Sequence, residues 1–145
     1  MDFGSDGKKL KSYINDGGKI ILYHGWSDTD ATPASSFFFY NAQAEAFGDD
    51  NLPDFLRMFL LPGMKHCRGG NGVNTADYLD EIEGWVEEGD APESLDVYGA
   101  TEDPFNYIAH PLDPSTIVAG RKIFPYPASS VYDGSGDVVD PQNWI

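Results

Sequence analysis

The chain has 145 residues, about one domain's worth, and its 41% hydrophobic and 14% aromatic content supplies a packed core and excludes wholesale disorder. Its 24 acidic against 9 basic side chains give a net charge of −15; such a surface repels phosphate backbones and anionic membranes, so neither nucleic acid nor membrane is expected as a partner. A single cysteine, Cys67, rules out an intrachain disulfide, no apolar run is long enough to span a bilayer, and the polar stretch Met1–Leu10 does not read as a secretory signal peptide.

Ser5 to Asp16 reads as a short helix with Leu10, Tyr13 and Ile14 on one face, ended by Gly17-Gly18. Lys19 to Tyr23 is a short run of β formers and reads as a buried strand. A polar loop, His24 to Ala31, follows it. Thr32 is then placed to cap a helix with Pro33 at its first position, and Phe37, Tyr40, Ala44 and Phe47 recur at helical spacing before Gly48. After a turn at Asp49 to Asp54, Phe55 to Leu61 is the second apolar run, closed by Pro62-Gly63. A glycine-rich loop, Met64 to Asn74, leads to a helix over about Thr75 to Glu88, with Leu79, Ile82 and Val86 as its apolar stripe and Trp85 beside them.

The order strand, helix, strand, helix predicts an α/β fold: a βαβα unit with two parallel strands over residues 1–90. Residues 91–145 hold seven of the ten prolines and little periodicity, and read as an irregular Pro- and aromatic-rich tail wrapping the same domain. Two parallel strands alone leave an edge open, which invites pairing with another chain. Between Arg68 and Arg121 there is no lysine or arginine, while carboxylates run from Asp77 to Asp113. Most of these face water on this reading, and none matches the spacing of an EF-hand loop.

In open α/β sheets, sites form where the strands end. One such loop here, His24-Gly-Trp-Ser-Asp-Thr-Asp30, offers carboxylates, and the other, Pro62-Gly-Met-Lys-His-Cys-Arg-Gly-Gly70, offers a histidine. Adjacent strands lie about 4.8 Å apart, so an aspartate on one loop reaches a histidine on the next. That is the acid and base half of a catalytic triad, and Asp28 and His66 are the catalytic candidates. The chain order acid then histidine matches α/β-hydrolases, where the nucleophile precedes both. Upstream of Lys19 only Ser5 and Ser12 are available, and neither sits in a Gly-x-Ser-x-Gly elbow. Ser27 in Gly25-Trp-Ser-Asp-Thr29 imitates that elbow but has threonine where the strained turn needs glycine.

The plainer readings are specific too. Asp28 could simply cap a turn. Asp30 is the rival acid and more naturally shapes the turn before Thr32. His24 reads as a hydrogen-bonded structural residue, and nothing marks His110. Cys67 beside His66 suggests a thiol nucleophile or a metal pair, but adjacent positions rarely converge on one metal. No metal and no cofactor are expected.

Lys19-Ile-Ile-Leu-Tyr-His-Gly-Trp-Ser-Asp28, Leu60-Leu-Pro-Gly-Met-Lys-His-Cys67, Asp80 to Leu95 with Gly89-Asp-Ala-Pro-Glu-Ser94, and Pro125-Tyr-Pro127 with Tyr132-Asp-Gly-Ser-Gly-Asp137 occur in that order. In these four segments the chain resembles the tannase and feruloyl esterase family. The resemblance implies Asp28 as triad acid, His66 as triad base, and an aromatic-acid ester as substrate of the complete enzyme. It also implies a nucleophile serine and a lid domain upstream of these residues, in a family whose members are typically secreted. The family cysteine that follows the histidine pairs with one beside the serine; Cys67 matches the former and has no partner here. Phe124 stands where a further family cysteine is expected. Three expectations follow: an incomplete ester hydrolase, inactive alone; one chain of a two-chain enzyme whose partner brings serine, oxyanion hole and lid; or a non-catalytic domain that self-associates through its exposed strand edge.

Overall fold

A computed structural model describes residues 10–67, 69–100 and 114–145. His110, the acids from Glu102 to Asp113 and the first residues of the expected N-terminal helix lie outside these. The elements in chain order are helix α1 (Lys11–Asn15), strand β1 (Ile20–Gly25), helix α2 (Ala34–Phe47), a 3-10 turn (Asp49–Asp54), strand β2 (Leu56–Leu61), helix α3 (Tyr78–Glu87), and strands β3 (Leu95–Ala100) and β4 (Ile117–Ile123). β1 and β2 pair in parallel, from Ile20 opposite Leu56 to Gly25 opposite Leu61. The two apolar runs are therefore neighbouring strands joined through α2, as their order predicts, and both end at the same level.

Strand alternation divides the apolar residues between two faces. Ile20 and Leu22 join Leu52, Phe55 and Leu56 in one cluster, covered by Ile14 of α1 and by Phe39, Tyr40, Ala44 and Phe47 of α2. Phe59 and Leu61 face the other way into a second cluster with Met64, Val73, Leu95, Val97 and Ile123. Burying each such side chain contributes roughly 1.5–3 kcal/mol. The same alternation puts His24 on the α2 face and Tyr23 on the opposite one, where it stacks on Tyr78 at 4.1 Å.

Four local expectations need correction. Residues 91–145 are not simply irregular, because β3 and β4 form an antiparallel pair, from Leu95 opposite Ile123 to Ala100 opposite Ile117. Leu95, Val97 and Gly99 are the buried members of β3, so the pleat was present in the sequence. Its partner carries Arg121-Lys122 and a central Gly120, which disguise it as a loop. On α3 the buried face is not Leu79, Ile82 and Val86: Leu79 is 58% and Val86 59% exposed, while Trp85 is 3%. At 3.6 residues per turn the apolar residues of the helix form one stripe about 120° wide, and its Tyr78–Trp85 edge, not its Leu79–Val86 edge, turns inward. The larger rings take the inside, with Trp85 packed beneath the cations of Lys19 and Arg57. α3 also starts later than expected, at Tyr78, where the Asp77 carboxylate caps the Asp80 amide at 3.3 Å. Finally, Thr32 makes no side-chain cap on α2; its carbonyl accepts instead from the Ser35 amide and hydroxyl.

Candidate active site

Both loops identified above leave the sheet side by side, because Gly25 and Leu61 are register partners. They then interlock. The Trp26 amide donates to the Leu61 carbonyl at 2.9 Å and the Ser27 amide to the Met64 carbonyl at 3.0 Å. A Cβ on Gly25 would lie 2.5 Å from the Met64 carbonyl oxygen and 2.6 Å from that of Lys65, so only glycine permits this approach. The histidine loop closes on itself: Met64 bridges Gly70, and the Lys65 amide donates to the Gly69 carbonyl. His66 and Cys67 stand at its tip, Cys67 with a positive φ of 60°. Gly70 is fixed there because a Cβ would strike the Gly63 carbonyl at 1.9 Å.

Asp28 sits in the first turn after β1 and is 7% exposed. Its Oδ1 accepts from the Asp30 and Ala31 amides at 2.9 and 3.0 Å. Its Oδ2 accepts from His66 Nδ1 at 2.8 Å. Asp28 therefore does cap its own turn, as the plainer reading held, and at the same time bonds the histidine. A carboxylate only accepts, so Nδ1 carries the proton and the neutral ring leaves Nε2 with a free lone pair. The His66 side chain is 48% exposed. Among the described residues no group bonds its Nε2.

The electrostatics follow from these contacts. Burial alone would push the Asp28 carboxyl up. The His66 hydrogen bond, the Ala31 and Asp30 amides and the imidazolium charge outweigh it and hold the carboxyl at about 2. The hydrogen bond to Asp28 and then its charge raise His66 above 6.5; the slight burial of the ring opposes this and the charge of Asp30 adds to it. Asp30 is exposed and reaches the site through its backbone amide and its field, not as the carboxylate that bonds the ring.

Ser27 is exposed, and its hydroxyl bonds neither His66 nor Asp28 among the described contacts. Cys67 is a free, exposed thiol. Among the described residues no three His, Cys, Asp or Glu side chains converge as a metal site. A cavity of about 330 Å³ opens beside Trp26 and Pro62, walled by Phe37, Phe124 and Tyr126; neither Asp28 nor His66 lines it.

His24 has a larger part than its sequence context suggests. Its Nδ1 lies 2.7 Å from Ser36 Oγ and its Nε2 2.6 Å from the Ala31 carbonyl. The hydrogen-bonded structural reading is thus correct. The ring also lies 3.4 Å from Asp28 Oδ2, a contact that no local signal in the sequence announces. Its partner Ser36 could be suspected only as a polar residue on the inner face of α2, where it is 6% exposed.

The chain matches known proteins in sequence and in fold. Residues 4–145 match the family described as tannase and feruloyl esterase. A mono(2-hydroxyethyl) terephthalate hydrolase from Piscinibacter sakaiensis is 34% identical over 145 residues, covering 99% of this chain and 22% of the relative. A probable feruloyl esterase B-2 from Neosartorya fischeri is 32% identical over 151 residues, covering 93% of this chain and 27% of the relative. Among solved structures, an esterase and a feruloyl esterase B, both from Aspergillus oryzae, superpose with TM-scores of 0.76 and 0.72 at 29% identity, over 94% of this chain and 28% of theirs. The chain thus spans about a quarter of the length of these relatives.

Proposed function

Because the chain belongs to the tannase and feruloyl esterase family, we propose that Asp28 and His66 are the acid and base of a serine carboxylic-ester hydrolase. The 2.8 Å bond between Asp28 Oδ2 and His66 Nδ1 carries this reading, because it sets the tautomer that general-base catalysis requires. His66 Nε2 takes the proton of a serine hydroxyl as the oxygen attacks the ester carbonyl. The imidazolium, stabilised by Asp28, returns that proton to the leaving alcohol. Water then enters on the same base and releases the acid. The serine and the oxyanion donors come from a segment other than these 145 residues. Two relatives bear names that specify feruloyl and terephthalate esters, so the substrate class is an ester of an aromatic acid.

The purified chain tests this with a fluorophosphonate probe read by intact mass. The proposal expects no adduct. An adduct on Ser27 that disappears in His66→Ala would place the nucleophile inside this chain and overturn it.

One observation favours a second reading, a non-catalytic domain that self-associates. Among the described residues β1 has a strand neighbour on one side only, and Tyr23, Leu79 and Val86 are exposed on the adjoining elements. That reading predicts a dimer by sedimentation at micromolar concentration, and a monomer excludes it.

A further inference from the structure

We infer that His24 is a positioning residue for the Asp28 carboxylate, stapling the end of β1 to the acid turn and to the first turn of α2. The inference rests on the acid–base reading of Asp28 and His66 and adds a third residue to it.

The argument starts from what holds Asp28. Its Oδ1 is fixed by the Asp30 and Ala31 amides, so the carboxylate is only as well placed as the backbone of residues 28–31. Residues 29–31 of it are exposed loop, and such segments are ordinarily the least fixed part of a domain. Here it ends on the Ala31 carbonyl, which His24 Nε2 meets at 2.6 Å. A carbonyl only accepts, so Nε2 carries the proton. In the neutral ring Nδ1 must then accept, and the Ser36 hydroxyl at 2.7 Å donates to it. Ser36 is itself anchored, its amide donating to the Pro33 carbonyl at 3.0 Å.

One imidazole therefore joins a rigid strand, the far end of the acid turn and a buried helix residue. The same Nε2 lies 3.4 Å from Asp28 Oδ2, the oxygen that bonds His66. Oδ2 is thus flanked by two imidazole nitrogens, one at the end of β1 and one on the facing loop. Without His24 the Ala31 carbonyl loses its donor, the turn loosens, and the Oδ2–Nδ1 bond weakens. A residue that holds another in place in this way acts through geometry, and misplacement by about 1 Å is enough to cost on the order of a hundredfold in rate.

The test reads His66 by nitrogen-15 NMR of the imidazoles in the 145-residue chain. The groups acting on His66 are the carboxylates of Asp28 and Asp30. In the wild type His66 titrates above its ordinary value, and His24 shows the Nε2–H tautomer. His24→Asn keeps an acceptor near Ser36 but cannot reach the Ala31 carbonyl, so the His66 titration falls towards 6.5. His24→Gln, whose amide nitrogen reaches the Nε2 position, restores it. A well-folded His24→Asn that leaves the His66 titration unchanged would overturn the inference. So would a wild-type His24 in the Nδ1–H tautomer, a reading that needs no variant to fold. Asp28→Asn separates the two levels. If it lowers the His66 titration and His24→Asn does not, only the inference about His24 fails; if it leaves His66 unmoved, the Asp28–His66 pair itself fails.

Discussion

Asp28 and His66 stabilise each other most while both are charged, and the window follows from their shifts. The Asp28 carboxyl is depressed from 3.8 to about 2, so its contribution is present above 3.8 and is lost as the pH falls through about 2. His66 is raised above 6.5, so its contribution is present below 6.5 and is lost as the pH rises through the folded value. The coupling between them is therefore greatest between 3.8 and 6.5. A double-mutant cycle of Asp28→Asn and His66→Gln, followed by urea unfolding, is expected to show a larger coupling at about pH 5 than at about pH 9. Equal coupling at the two values would mean that the pair is not the charged hydrogen bond described here. The pairing was legible in the sequence because each residue stands on a loop after an apolar run. The partners of His24 were not, because Ser36 reaches it only once α2 has folded back over β1.

At the scale of elements, the site depends on how closely two loops approach. A methyl group on Gly25 would meet two carbonyl oxygens of the histidine loop. Gly25→Ala is therefore expected to lower stability by about 1–3 kcal/mol, the usual cost of overpacking, and to bring the His66 titration down at the same time. Urea unfolding and NMR check both, and an alanine tolerated without either change would contradict the close approach. The strands and α2 were readable from apolar runs and their glycine and proline ends. The inner face of α3 was not. Tyr78, Leu79, Ile82, Trp85 and Val86 form one stripe about 120° wide, but spacing does not say which edge of it turns inward, and that choice is made by contacts with Tyr23, Lys19 and Arg57. Trp85→Ala is accordingly expected to cost about 3–5 kcal/mol and Leu79→Ala no more than about 0.5 kcal/mol. The reverse ranking in urea unfolding would restore the sequence reading of this helix. β3 and β4 were missed for a different reason. β4 is interrupted by Gly120, Arg121 and Lys122, and a period of two in β3 alone cannot name its partner.

For the molecule as a whole, Asp28 and His66 stand on the loops that follow neighbouring strand ends of one parallel pair, and the chain spans about a quarter of the length of its relatives. The central claim is that this quarter carries a working acid–base pair. The direct measurement is ester hydrolysis by a chimera in which residues 4–145 replace the matching segment of the Piscinibacter sakaiensis hydrolase. The chimera is expected to cleave that relative's ester. Asp28→Asn should lower kcat by on the order of 10³–10⁴-fold with KM little changed, and His66→Ala should reduce it to a comparable or greater extent. A folded, active chimera that keeps its rate in His66→Ala would contradict the account.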